Sequence, residues 1–147
     1  MNQNRKSINE MDPSAFKAML ALENWGKSCD LDPKLKELIK IRASQINGCA
    51  YCLDMHTEDA LDLGESSRRI FAVSVWHESH LFSEEERTLL QYTEEVTNIA
   101  QEGVQDETHR KMLQFFGEKM TAQILMLVVT INAWNRIAVA TKLIYKD

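Results

Sequence analysis

Apolar residues along this chain recur at three- and four-residue spacing, the pattern of helices that bury one face. The first such segment opens at Asp12-Pro13, carries Ala15, Phe16, Met19, Leu20, Leu22 and Trp25, and closes near Gly26. A second opens at Asp32-Pro33 and carries Leu35, Leu38, Ile39, Arg42 and Ile46. In both, an acidic side chain can accept from the free N–H groups of the first turn, and proline stands where its missing N–H costs nothing. Asn47-Gly48 breaks the second helix, and a third runs from about Cys49 to Leu63 with Gly64 as its stop. Residues Ser66 to Trp76 form a fourth. Ser83-Glu-Glu-Glu86 is a capping box that opens a fifth, carried by Leu89, Leu90, Tyr92, Val96 and Ile99 to Gly103. Residues 105–116 predict a shorter helix ending at Gly117. The last, from Glu118 to Ile144, is apolar nearly all round in its middle, which predicts burial on every side by the domain or by neighbouring subunits. No window shows the period of two of a strand, and no repeat is evident. The pattern predicts one all-α domain over residues 1–147, built as a multi-helix bundle.

Composition narrows the partners. A chain of 147 residues suits one domain of ordinary size, and with only 5 Gly and 2 Pro it has no glycine-rich phosphate cradle. A formal net charge of −5 argues against a broad nucleic-acid or anionic-membrane surface. The polar start, Met1 to Ser7, has no apolar stretch behind it, so a secretory signal is not expected. Ile124 to Trp134 is too short to span a bilayer. The expectation is a soluble, cytoplasmic protein. Its three cysteines are then not a structural disulfide framework, and paired thiols in a reducing compartment point to redox chemistry or metal. No nucleotide- or flavin-binding pattern is present, so no organic cofactor is expected.

Cys49-Ala-Tyr-Cys52-Leu-Asp-Met-His56 carries the chemistry. At about 100° per residue the two thiols and the imidazole share one helix face, within about a 60° arc. Leu53, Ala60 and Leu63 flank that face, while Asp54, Glu58 and Asp62 lie towards the other. Both cysteines fall in the first turn, where free N–H groups and the macrodipole favour a thiolate. On that ground alone Cys49, nearer the helix start, is the better nucleophile. His56, four residues past Cys52, can take or return a proton. A relaxed disulfide sits poorly between residues three apart in a regular helix, so a Cys49–Cys52 bond needs the first turn to adjust, which suits a catalytic disulfide.

Competing readings are weighed on the same residues. A thioredoxin-type site needs βαβ elements and a cis-proline, but Pro13 and Pro33 both lie upstream of the motif. Haem attachment of the c type needs His directly after the second Cys, where Leu53 stands. Zinc could use Cys49, Cys52 and His56 with His77, His80 or Cys29 as fourth ligand, although one helix face is crowded for three ligands. An incidental buried pair is the bland alternative. Dithiol redox chemistry is favoured, and no resident metal is expected.

The stretch from Glu37 through eleven residues to Cys49-Ala-Tyr-Cys-Leu-Asp-Met-His56 resembles the signature of the alkylhydroperoxidase AhpD-like group, in the carboxymuconolactone decarboxylase superfamily. The likeness extends through Trp76, the Ser83–Thr97 segment and Ala133-Trp-Asn-Arg136. It implies an all-helical, orthogonal bundle that oligomerises as a homo-trimer or homo-hexamer. It also implies reduction of a hydroperoxide, or of a partner peroxiredoxin's disulfide, with an external dithiol as electron source. Carried over residue by residue, it makes Cys52 the peroxidatic thiol and Cys49 its proton donor and resolving partner, with His56 and Glu37 completing a proton relay. One position departs from the pattern: the best-known members have histidine immediately before the second cysteine, and this chain has Tyr51.

The resemblance leaves two other functions to weigh: a redox sensor using the same disulfide without turnover, and a lyase like the decarboxylase branch, which does not depend on a cysteine pair. The remaining ligand-type residues read plainly. His77 and His80 are expected at a surface or helix end, Cys29 as a spectator thiol, and Glu94-Glu95 as a solvated face.

Overall fold

The computed structural model describes residues 5–145. It is helical throughout, and no strand occurs among the described residues. Helices α1 (Ile8–Met11), α2 (Pro13–Ser28), α3 (Pro33–Asn47), α4 (Ala50–Asp62) and α5 (Ser67–Ala72) lead into a 3₁₀ turn at Val73–Val75. Then come α6 (Glu84–Thr97), α7 (Ile99–Glu102) and α8 (Asp106–Thr141). The start signals act as the sequence implies. Asp12 accepts from the Ser14 and Ala15 amides, Asp32 from that of Lys34, and Ser83 and Glu86 make both bonds of a capping box. Gly117 (φ 72°, ψ 172°) breaks α8 into the two helices expected there, since a positive φ strains any residue with a Cβ.

Four boundaries differ from expectation, the first being that the segment Ser66–Trp76 is α-helical only to Ala72 and ends in the 3₁₀ turn. A short α1 precedes Asp12, opened by a Ser7–Glu10 capping box. The fifth predicted helix does not run unbroken to Gly103: Asn98 (φ −97°, ψ 31°) separates α6 from α7. The final helix stops at Thr141, because Lys142 takes up a left-handed conformation that turns the chain back.

The fold has a central helix, and it is α3. Its Ile39 and Ala43 pack with Leu89, Ile124, Leu127, Val128 and Ile131 in one core cluster, while Leu38 and Ile41 pack with Ile70, Val73, Trp76 and Leu90 in another. Within the single chain, the last helix buries one face. Ile124, Leu127, Val128 and Ile131 of α8 are buried, but Leu125, Met126 and Val129 on its other side are exposed in the single chain. By length and composition α8 could cross a membrane, yet its apolar stretch supplies the largest part of a core face. Where α2 crosses α8, Gly26 lets the helices touch: a Cβ there would sit 3.0 Å from Leu127 Cδ2. The C-terminal end of α2 is capped by the buried Lys36 of α3, whose Nζ donates to the carbonyls of Gly26, Lys27 and Cys29. That ties α2 to the helix carrying Glu37.

Candidate active site

Helix α4 begins at the turn after α3, where Gly48 (φ 64°, ψ 35°) supplies the left-handed residue that reverses the chain. Cys49 is the N-cap residue of α4, with extended backbone (φ −89°, ψ 94°), and its Sγ accepts from the Cys52 amide at 3.2 Å. The sequence reading placed both cysteines inside the first turn. Only Cys52 is there, and the non-helical Cys49 is what lets the turn adjust. A Cys49–Cys52 disulfide is closed in this structure, with Cα atoms 5.4 Å apart, inside the range such bonds take. Both cysteines are buried within the larger core cluster.

One turn further, His56 meets Glu37 across the α3–α4 interface. His56 Nδ1 lies 2.9 Å from Glu37 Oε2, with both residues buried. Lys40, on the next turn of α3, donates to Glu37 Oε1 at 2.9 Å. Burial alone would raise the Glu37 carboxyl, but the hydrogen bond from His56 and the Lys40 ammonium outweigh it, so the pKa lies below the ordinary value. Glu37 is therefore a carboxylate at neutral pH. It fixes the proton of His56 on Nδ1 and leaves Nε2 as the nitrogen able to exchange protons with the cleft. Asp59 approaches the same Nδ1 at 3.7 Å from the mouth, and burial together with the Glu37 charge raises its carboxyl above the ordinary value.

These groups open onto a cleft of about 690 Å³, between α2, α3, α4 and the end of α8. Phe16, Met55, Leu63, Trp134 and Leu143 give it an apolar wall, and Glu37, Lys40 and His56 a polar one. Trp134 is held in place by its indole N–H, which donates to Glu23 at 3.0 Å, and by the edge of Phe16 with centroids 6.0 Å apart. Cys52 lines this cleft and Cys49 does not. All four residues singled out in the motif are thus brought together. Lys40 and Asp59, on the same two helices, join them, and so does Trp134, from the Ala133–Arg136 stretch near the far end of the chain.

The zinc set is not assembled. The two sulfurs are joined to each other, Cys29 is buried after α2 with its Sγ 3.6 Å from the Trp25 carbonyl, and His77 stacks on Trp76. Among the described residues, the ligand-type atoms that do converge, within 4.8 Å, are those of Glu37, His56 and Asp59, and Lys40 already neutralises Glu37 there. His77 is at the surface as expected, but Glu94 is not on a solvated face. Glu94 accepts from Arg42 Nε at 2.8 Å and Trp76 Nε1 at 2.7 Å, and lies 3.1 Å from His77 Nε2.

An all-helical domain that sets a two-cysteine centre against a buried Glu–His pair defines a class of dithiol protein. More particularly, the chain belongs to the carboxymuconolactone decarboxylase family, whose model matches residues 13–95. It is 38% identical over 136 residues to the uncharacterized protein YdfG of Bacillus subtilis strain 168, covering 92% of each chain. It is 28% identical over 102 residues to the uncharacterized protein YnjA of Escherichia coli K12, covering 69% of this chain and 56% of that one. A crystal structure from Agrobacterium tumefaciens, of a protein of unknown function provisionally assigned to antioxidant defence as an AhpD, superposes with a TM-score of 0.95 at 39% identity over 99% of both chains. These matches support the AhpD-like resemblance. The debrominase Bmp8, at 17% identity and a TM-score of 0.82 over 93% of this chain and 74% of that one, shares the fold.

Proposed function

We propose that this protein is a thiol-dependent hydroperoxide reductase with an antioxidant role. The observation that carries the reading is the asymmetry of the cysteine pair: Cys52 lines the cleft beside His56, and Cys49 lies behind it. In the reduced protein the Cys52 thiolate attacks the terminal oxygen of a hydroperoxide. The O–O bond breaks, its electron pair leaves on the alkoxide oxygen, and a proton from the His56–Glu37 relay makes that oxygen an alcohol. Cys52 is then a sulfenic acid. The Cys49 sulfur attacks it, water leaves with the Cys49 proton, and the Cys49–Cys52 disulfide forms. An external dithiol, or a peroxiredoxin partner exchanging disulfides, returns two electrons and two protons. That supply is what the cytoplasm offers.

The exposed apolar residues Leu125, Met126 and Val129 of α8 favour a homo-oligomer, trimer or hexamer, that covers them. Light scattering on the reduced protein tests this, and a monomer would refute it.

The functional test is peroxide consumption by reduced, metal-stripped protein with excess dithiol, with the disulfide mapped by mass spectrometry. Turnover well beyond one equivalent, lost in Cys52→Ser and in His56→Ala, supports the peroxidase. Consumption that stops at one equivalent with the disulfide formed makes the protein a redox sensor. A decarboxylation that persists in the double Cys→Ser variant makes it a lyase.

A further inference from the structure

The proposed chemistry gives Tyr51 no task, and Tyr51 is where this chain departs from the AhpD-like pattern. It precedes Cys52 on α4 and lines the same cleft. Its ring meets the ring of Tyr145 edge to face, with centroids 5.7 Å apart and planes at 86°. Tyr145 belongs to the chain that follows α8. That chain reverses at Lys142 (φ 54°), where the amides of Lys142 and Leu143 close on the carbonyls of Val139 and Ala138. It then lays Leu143 into the cleft wall, turns Ile144 out to solvent, and brings Tyr145 back onto α4. There the Tyr145 hydroxyl donates to Glu58 Oε2 at 2.8 Å, joining residues 87 apart in sequence. The Glu58 hydrogen bond, with a smaller contribution from burial, pushes the phenol up to about 12, so it remains a donor at any working pH.

We infer that residues Leu143–Tyr145 form a strap that completes the substrate cleft, and that Leu143 and Tyr51, held by Tyr145, select hydroperoxides with a bulky apolar body over hydrogen peroxide. The inference rests on the peroxidase reading. Hydrogen peroxide needs only the thiol and the relay. A cumyl-sized group can also rest against the apolar side chains of Leu143, Tyr51, Phe16 and Trp134 that line the cleft. Contacts of that kind discriminate by roughly 10-fold or more for each methylene removed from an apolar wall. Tyr145 is a positioning residue: it does not line the cleft, and it acts through Leu143 and Tyr51.

The test is steady-state kinetics with cumene hydroperoxide and hydrogen peroxide, on the full chain carrying Leu143→Ala, Tyr145→Ala or Tyr145→Phe. Leu143→Ala should lower kcat/KM for cumene hydroperoxide about tenfold, through KM rather than kcat. Tyr145→Ala should lower it about fivefold, with hydrogen peroxide turnover unchanged, and Tyr145→Phe, which keeps the ring on Tyr51, should recover most of the loss. An equal fall on both peroxides marks a merely structural role and overturns the inference. So does an unchanged ratio, or a gain on cumene hydroperoxide, which would make the strap a barrier. Calorimetric titration with 2-phenyl-2-propanol, the unreactive alcohol product, separates the two readings. If wild type consumes neither peroxide but its affinity for the alcohol still falls in Leu143→Ala, the peroxidase reading fails and the strap stands as a binding wall. If peroxide is consumed and neither measurement moves in the variants, only the strap fails.

Discussion

Among the described residues, two glutamate–histidine pairs lie on or beside α3, and only one of them faces sulfur. Glu37 holds His56 inside the molecule, with the imidazole lining the cleft that contains Cys52. Glu94 reaches His77 at a similar distance, but His77 is 53% exposed by side chain, against 7% for His56, and its ring lies flat on Trp76 with centroids 3.6 Å apart. The two carboxylates are also spent differently. Glu94 satisfies Arg42 and the Trp76 indole, fixing the turn after α5 to α3 and α6. Glu37 serves His56 and the neighbouring Lys40, so its one long-range task is to orient a titratable ring. Residue type alone therefore does not make the relay proposed above, which needs a ring oriented on one nitrogen, left free at the other and set beside a sulfur.

The two pairs should differ most strongly in activity. Glu37→Gln should lower kcat/KM for peroxide by about 10²–10³, the scale of a lost proton relay, while Glu94→Gln stays within about twofold of wild type. Comparable losses in the two variants would erase the distinction. Stability should respond in the opposite sense. Glu94→Ala leaves the Arg42 guanidinium and the Trp76 indole without their acceptor, at a cost of about 2–3 kcal/mol in urea unfolding. A smaller effect, read as melting temperature against pH, concerns acid. Both carboxyls lie below the ordinary value of 4.5: burial opposes this, and the hydrogen bonds to His56 and Lys40, or to Trp76 and Arg42, overcome it. A carboxyl lowered by folding stabilises fully above its unfolded pKa and loses that contribution as pH falls through the folded one. Melting temperature should therefore drop below pH 4.5, less steeply in Glu94→Gln. Smallest is His77→Ala, which should change stability by no more than about 0.5 kcal/mol, as for an exposed side chain.

Most helix starts were legible because their signals are local: Asp before Pro at residues 12 and 32, and the Ser83–Glu86 box, need no distant partner. The start of α1 carries the same kind of signal in Ser7 and Glu10, but only four residues follow it, too few to show a periodicity. Cys49, Cys52 and His56 were legible because their spacing on one helix places them, whereas Glu37 entered only through the family resemblance. The surroundings of the site were not legible. The cleft draws Phe16 from α2 and Trp134 and Leu143 from the end of the chain, and nothing local in those stretches says which helix they will face. The same holds for Glu94, whose neighbours Glu84–Glu86 and Glu95 make it look solvated, and whose role depends on Arg42 and Trp76 arriving from other elements. The all-round apolar middle of α8 has one side buried within the single chain, and the helix enclosed there on all sides is the more polar α3, with Lys36, Glu37 and Ser44 buried beside its apolar residues.

The sulfur of Cys49 has a second job, as the acceptor that caps α4. When the disulfide opens, this sulfur changes from a bridging atom to a thiol that also carries a proton of its own, so the bond it accepts changes with it. The Cys52 amide proton is therefore a built-in gauge of oxidation state. Its chemical shift and its exchange with deuterated water should differ between the oxidised and the reduced protein, without any label attached.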